Sequence, residues 1–250
     1  MDPPCVAGLD RVLSPAMSEN AIGYQLEGTV ATLRFDDGKA NALSPVAIDG
    51  LSTGLDRAEK EAEAVLLSGR QGRFSAGFDL STMKAGPDAA RSMVSAGAEL
   101  LLRLYESPLP IVTACSGHAL AMGAVLLLGS DSRIGAAGDF KIGLNEVSIR
   151  MTLPVFAVEI ARDRLSKRHF QRSVILAEIY TPEEAVNAGY LDRIVPAESL
   201  AEEAMAEAKR LAALPRRAFS ETKQRVRGAS VERIRRFLAE EKRSWDGASS

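Results

Sequence analysis

Gly72-Arg73-Phe74-Ser75-Ala76-Gly77-Phe78-Asp79-Leu80 is the stretch on which the reading of this chain turns. It follows Ala64–Ser68, an apolar run of the length expected for a buried strand. Ser75, Ala76 and Gly77 are small, so a ligand can approach the backbone and meet amide N–H groups left free to donate. A second stretch has the same character. Ser116-Gly117-His118-Ala119-Leu120-Ala121-Met122-Gly123-Ala124 runs from the strand Ile111–Cys115 into an apolar helix over Met122–Leu128. A helix N-terminus presents unsatisfied N–H groups and a partial positive charge. Two such amides converging on one oxygen would stabilise an oxyanion. Taken singly, each segment is better read as an ordinary strand-to-helix turn.

Outward from these loops, short β-branched runs alternate with amphipathic stretches. Ile22–Leu26 and Thr29–Phe35 read as a hairpin about Glu27-Gly28. Ser44 is placed to cap a helix reaching Glu61. The pattern predicts a Gly-rich loop over Gly69–Gly77, a helix over Arg91–Tyr105, a turn over Ser116–Ala119, and strands at Arg133–Ala136 and Asp139–Ile142. Beyond Pro154 only helices are expected. One is opened by Thr181-Pro182-Glu183-Glu184, and others cover Ala197–Ala213, Arg216–Val226 and Val231–Trp245. Strand–helix units followed by a helical tail imply an α/β core over residues 17–196 and a C-terminal helical lobe over 197–250. Residues 1–16 read as a poorly ordered extension, with Met17 as an alternative start.

The bulk numbers exclude several classes. Hydrophobic residues make up 46% and charged residues 26% of 250, an ordinary globular balance. With 31 basic and 33 acidic side chains well mixed, there is no general field for nucleic acid or an anionic membrane. Cys5 and Cys115 stand far apart, and two His residues offer no metal-ligand spacing. No metal site or disulfide framework is expected, and a reducing cytoplasm is the default location. No apolar stretch is long enough to span a bilayer, and the N-terminus lacks a secretory pattern.

Taken together and in this order, the two loops resemble those of the enoyl-CoA hydratase/isomerase (crotonase) superfamily. FSAGFDL is similar to that family's first oxyanion loop and SGHALAMGA to its second. Asp36-Asp37-Gly38-Lys39-Ala40-Asn41-Ala42-Leu43 resembles the segment lining the coenzyme A pocket, and TPEEAVNAGYLDRIV (Thr181–Val195) resembles a further family stretch. The resemblance covers residues 20–245. It implies a crotonase-type spiral core of repeated ββα units with a helical C-terminal lobe, assembled as a homotrimer or a dimer of trimers. It also implies an acyl-CoA thioester as the binding partner. Coenzyme A then arrives as part of the substrate, with no prosthetic group. The oxyanion donors would be the amides of Phe78 and Met122, where Met stands in place of the family's usual Gly. An amide at Met122 serves equally if its φ is negative. Lys39, Ala40, Ala42, Ser75, Ala76, Phe78 and Leu80 would lie along the coenzyme A moiety, with the main chain at Ala76 meeting the adenine. Lys39 is read equally well as a solvated loop residue.

Hydratases of the family use two glutamates to hold and split water. At the first position this chain has Val125, which can neither activate water nor pass a proton. At the second it has Glu146, within Gly143-Leu144-Asn145-Glu146. A single retained Glu, this GLNE stretch and the step from Glu146 to Pro154 resemble the Δ3,Δ2-enoyl-CoA isomerase branch. There one carboxylate moves a proton from C2 to C4, and an apolar pocket that raises its pKa suits a base that must also act as an acid. Without the family register, Glu146 would read as a surface loop residue. Arg150 replaces a residue commonly Gly in the family; it reads either as a solvated residue or, near Glu146, as a charge that would lower that carboxyl's pKa and narrow the acyl site. Asp79 and Asp131 read as caps of backbone amides, and His118 as structural.

The last helix carries Arg233, Arg235, Arg236, Lys242 and Arg243 with Phe237 and Trp245 interleaved. The resemblance makes Phe237 and Lys242 candidate ligand contacts, while Glu232, Glu240 and Glu241 on the same helix favour a solvated face. Three rivals to isomerisation stay open: hydration with water held by another group, a different crotonase-type reaction such as hydrolysis, and a non-catalytic acyl-CoA-binding protein that has kept the fold.

Overall fold

The computed structural model describes residues 21–247, so the extension read over 1–16 and the start at Met17 lie outside the described residues. Strands β1 (Ile22–Glu27) and β2 (Val30–Phe35) form the expected antiparallel hairpin about Gly28, whose φ is 59°. A two-residue strand, β3 (Ala42–Leu43), leads to helix α1 (Pro45–Glu61), capped as read by Ser44 through the Ala47 amide at 3.2 Å. β4 (Ala64–Ser68) then runs parallel to β2. The segment read as a Gly-rich loop instead holds two strands, β5 (Gly72–Ser75) and β6 (Gly77–Phe78). Helices α2 (Leu80–Lys84) and α3 (Pro87–Glu106) follow, α3 starting at a proline rather than at Arg91.

β7 (Ile111–Cys115) continues into β8 (Gly117–Leu120), a strand where a turn was expected, and then into α4 (Met122–Gly129). β9 (Ser132–Ala136) comes next. The strand expected from Asp139 narrows to β10 (Ile142–Gly143). The remainder comprises α5 (Val155–Arg164), α6 (Lys167–Val174), α7 (Pro182–Ala188), β11 (Arg193–Val195), α8 (Leu200–Ala212) and α9 (Arg216–Gly247).

The topology is a spiral of ββα turns. A six-stranded sheet has the order β1-β2-β4-β7-β9-β11, parallel throughout except for the first hairpin. Most turns also contribute a short strand to a second layer, ordered β10-β8-β5, and β3 pairs with β6 in a third, two-stranded sheet. The main sheet is buried on both faces. Val65, Leu67, Ile111 and Cys115 join the core beneath α1, α3, α4 and α5, while Ala64, Leu66, Val112 and Ala114 meet Leu200, Ala204, Ala208 and Leu211 of α8. Two-sided burial explains why these strands read as continuous apolar runs without alternation.

Two expectations for the tail are corrected. β11 extends the main sheet where helices alone were foreseen, because Asp192 binds the Arg133 amide at 2.8 Å and sets the segment beside β9. The two helices predicted over Arg216–Val226 and Val231–Trp245 are one, α9. Gly228 costs a helix about 1 kcal/mol relative to Ala. Here Arg227, bonded to the Tyr105 carbonyl at 2.9 Å, and Ser230, bonded to Asp163 at 3.0 Å, clamp the weak stretch to the core.

Candidate active site

Asn41 builds the first loop. It is fully buried with φ at 53°, a conformation Asn tolerates better than most residues. Its Nδ2 donates to the carbonyls of Phe35 at 2.7 Å and of Arg73 and Phe74 at 3.2 Å, and its own carbonyl accepts from Ser75 Oγ at 2.8 Å. Asp37 organises the approach by accepting from the amides of Lys39, Asn41 and Ala42 at 2.7, 2.8 and 3.0 Å. Burial pushes that carboxyl's pKa up, but these amides together outweigh it and hold it below the ordinary value. The clasp sets β3 alongside β6, pairing Ala42 with Gly77 and Leu43 with Phe78.

The second loop arrives through β8 and turns at Ala121, whose φ of 51° is a region where an L side chain is strained. The Ala121 amide donates to the Gly143 carbonyl at 3.0 Å, tying the turn to β10. The strain therefore sits one residue before Met122, which is helical, so its φ meets the stated condition for an amide donor. Every residue of α4 is buried, so its N-terminal dipole acts in an apolar setting. The loops meet at Gly77: with φ at 93°, a Cβ there would lie 2.8 Å from Ala121 Cβ and 3.2 Å from the Met122 nitrogen. On α3, a Cβ at Gly97 would fall 2.4 Å from the Phe78 ring and 3.6 Å from Met122 Cε, so both side chains converge on the space left by that glycine.

Glu146 lies just past β10, in front of a short 3-10 turn over Val147–Ile149. Its carbonyl accepts from Ile149 and Met151 at 3.0 and 2.9 Å. The side chain is 7% exposed, and Oε2 has no hydrogen-bond partner among the described residues. Burial raises the pKa of its carboxyl, and the only counterweight is its own backbone N–H. Of the two readings of Arg150 the solvated one fits, since Arg150 does not figure among the influences on the Glu146 carboxyl. Arg150 is exposed and ends the 3-10 turn with φ at 66°, which is a physical reason for glycine at this place. Val125 is buried at 1% exposure in the first turn of α4 and brings no second carboxylate.

The other candidates fall into two groups. Lys39 is exposed, and its carbonyl accepts from Arg70 at 2.7 Å; Ala40 accepts from the Ala76 amide at 3.2 Å. Ala40 and Ala42 are half-buried, Ser75 is buried, and Ala76 and Leu80 are exposed, so Lys39 to Leu80 form one rim around the clasp. Phe237 and Lys242 lie on α9 rather than on either loop. Phe237 is half-buried under the Arg236 guanidinium at 5.0 Å, and Lys242 pairs with Glu99 at 3.5 Å. Asp79 caps α2 as read, and hydrogen bonds from Ser81 and Thr82 hold its pKa to about 2. His118 is structural as read, accepting from the Lys141 amide at 3.0 Å. Asp131 goes further than a cap, binding the Ile111 amide at 2.8 Å together with Lys223 and Arg227. Sequence reasoning passed over Asn41, Asp37 and Ala121. The Asp-x-x-x-Asn spacing was a usable signal for the first two, and nothing local marks the third.

This geometry is that of a known family. The family profile Enoyl-CoA hydratase/isomerase matches residues 25–246, and the chain belongs to that family. The human protein "Enoyl-CoA delta isomerase 1, mitochondrial" is 31% identical over 82% of this chain and 70% of its own length. The crystal structure of an enoyl-CoA hydratase/isomerase family protein from Pseudomonas syringae is 43% identical, with a TM-score of 0.87 over 89% of this chain and 97% of that one. An enoyl-CoA hydratase structure from Mycobacterium marinum is 35% identical, with a TM-score of 0.85 over 88% and 97%. The names of similar proteins thus span both activities, and the site chemistry has to choose between them.

Proposed function

We propose that this chain is a Δ3,Δ2-enoyl-CoA isomerase. The observation that carries the reading is the carboxylate of Glu146, buried with Oε2 unpartnered among the described residues, while Val125 stands where a hydratase needs its second acid. In this mechanism the amides of Phe78 and Met122 receive the thioester oxygen of a 3-enoyl-CoA. Glu146 removes a C2 proton, and the electron pair passes into the enolate held by the two amides. The enolate then collapses with its double bond between C2 and C3 while Glu146 returns the proton at C4. No water enters and no atom is gained. A pKa raised by burial suits a group that must accept and then give back the same proton.

Coenzyme A comes with the substrate, and no prosthetic group takes part. Lys39, Ala40, Ala42, Ser75, Ala76 and Leu80 line its path, with Phe237 and Lys242 reaching it from α9. The working assembly is a trimer or a pair of trimers. The few cysteines suit a reducing compartment such as the cytoplasm. Among the described residues no helix is long and apolar enough to cross a membrane.

The test offers matched 3-enoyl- and 2-enoyl-CoA thioesters and identifies the products. Conversion of the 3-enoyl to the 2-enoyl ester, with slow or no hydration, is expected. Rapid hydration of 2-enoyl-CoA with the 3-enoyl ester untouched would overturn the proposal in favour of a hydratase. Binding of acyl-CoA without any turnover would favour the non-catalytic rival.

A further inference from the structure

Tyr190 is among the largest side chains buried completely, at 0% exposure, in a family stretch whose function is otherwise unexplained. It follows Gly189, which ends α7 with φ at 100° and turns the chain into the core. A buried tyrosine hydroxyl normally finds a partner. That of Tyr190 has none among the described residues, and the same holds for Asn145 Oδ1 and Glu146 Oε2.

Asn145 and Glu146 adjoin in sequence, and the charge of Glu146 reaches the Tyr190 hydroxyl. Tyr180 exchanges two backbone hydrogen bonds with Ile142, at 3.0 and 2.9 Å, fixing its segment beside the strand that delivers Glu146. The rings of Tyr180 and Tyr190 lie 5.8 Å apart. Ser173, itself fully buried, donates to the Tyr180 hydroxyl at 3.2 Å, and His169 Nδ1 lies 3.3 Å from that oxygen. The Ser173 hydroxyl and the Leu144 amide both come close enough to the Tyr190 hydroxyl to act on its proton, though neither closes a hydrogen bond. Burial above all, and also the charge of Glu146, raise the phenol's pKa, so it remains a proton donor across the working range.

We infer that Tyr190 is a positioning residue for Glu146: its hydroxyl donates to Glu146 Oε2 in the working complex, leaving Oε1 to exchange the proton with substrate. Catalytic hydrogen bonds commonly tighten only when substrate is bound. The proposal rests on the reading of Glu146 as proton carrier. Besides Tyr180, the titratable groups around this cluster are His169 and the exposed Arg172–Glu178 pair beyond it. Neither these groups nor, in this geometry, the Tyr190 hydroxyl enters the balance that sets the Glu146 carboxyl.

The experiment compares wild type, Tyr190→Phe, Ser173→Ala and Glu146→Gln as full-length proteins, measuring kcat, KM and the pH profile with a 3-enoyl-CoA. A donor to the carboxylate stabilises its ionised form, so removing it moves the acidic limb of kcat to higher pH. Tyr190→Phe is expected to lower kcat about tenfold, below the ~10²–10⁴-fold of a group that transfers the proton itself. KM should change little, and the limb should shift upward. Ser173→Ala should move the limb the same way by less. A Tyr190→Phe enzyme whose limb stays in place overturns the inference, whatever its kcat. If that variant does not fold, an unmoved limb in Ser173→Ala overturns it. Full turnover by Glu146→Gln is a different failure, because it removes the proton-carrier reading on which the inference stands.

Discussion

Asp131 and Glu146 are two carboxylates held by one core in opposite ways. Asp131 sits between α4 and β9, where Lys223 and Arg227 of α9 reach it, and meets every demand that burial makes. It accepts from the Ile111 amide at 2.8 Å, from Lys223 at 2.7 Å and from Arg227 at 2.9 Å. The guanidinium of Arg227 also lies over the Tyr105 ring at 4.2 Å. Burial depresses Lys223 to about 8, with Asp131 pulling its pKa back up and Arg227 pushing it further down. Glu146 is more deeply buried, at 7% exposure against 12% for the Asp131 side chain, but among the described residues Oε2 has neither a cation nor a donor. The first arrangement joins a helix to a core. The second keeps a reactive group at a cost to stability, and that contrast marks the site more clearly than any pocket volume.

The comparison breaks most decisively on activity. Glu146→Gln keeps the shape and removes the base, and turnover of 3-enoyl-CoA should fall by about 10⁴-fold, the top of the range for a general acid–base group. Stopped-flow or coupled assays would measure it, and a fall of less than tenfold would show that another group moves the proton. Asp131→Asn should have the opposite profile. It strands Lys223 and Arg227, whose side chains are 5% and 8% exposed, with no anion between them. Breaking a buried pair by removing one partner costs about 3–5 kcal/mol. Urea unfolding should register that loss, while kcat of the folded protein stays near wild type. An Asp131→Asn protein of unchanged stability would remove one side of the comparison.

The same contrast explains what the sequence disclosed. Strands β4 and β7 and helix α1 were legible because each carries its own signal: a run buried on both faces, or a capping serine before a periodic stretch. Glu146 was legible only through its place in the family register, since Gly143-Leu144-Asn145-Glu146 has no periodicity that predicts burial. Strands β5, β6 and β8 escaped notice, and β10 was placed too early at Asp139–Ile142, because these strands are two to four residues long and their partners lie far away in the chain. The continuity of α9 through Gly228 and the ion cluster at Asp131 were hidden for the same reason. They are decided by contacts such as Arg227 with Tyr105, across more than a hundred residues. Tyr190 carries no local mark, because segments around 144, 173 and 180 create its surroundings.

A smaller effect sharpens the comparison through pH. Burial raises the folded-state pKa of Glu146 above the ordinary 4.5, so folded protein binds this proton more tightly than unfolded protein does. The stability linked to it is fully present below about 4.5 and is lost as pH rises through the folded value. Gln does not titrate. Glu146→Gln should therefore be more stable than wild type at pH 7, on the order of 1 kcal/mol, the low end of the cost of a poorly satisfied buried group. That corresponds to about 2–4 °C in Tm for a chain of this size. The gain should shrink as the pH falls toward 4 in calorimetric scans. A variant less stable than wild type at pH 7 would mean that Glu146 makes a stabilising contact in its charged form.

The smallest effect concerns Arg150, the one cation placed in sequence near Glu146. Unlike Lys223 and Arg227 at Asp131, it does not act on the neighbouring carboxyl, and it holds φ at 66° on the surface. A left-handed conformation costs an L residue about 1–2 kcal/mol, and glycine's extra freedom in the unfolded chain takes back about 0.5–1 kcal/mol. Arg150→Gly should therefore stabilise by about 0.5 kcal/mol, while Arg150→Ala, which keeps the strained φ, should gain nothing. In both variants the acidic limb of kcat should stay where wild type has it, since no charge acting on Glu146 has been removed. The pair separates two reasons for an arginine at this position. A limb that moves to higher pH in both would mean that Arg150 supports the carboxylate electrostatically after all, and the difference between the two buried acids would be one of degree.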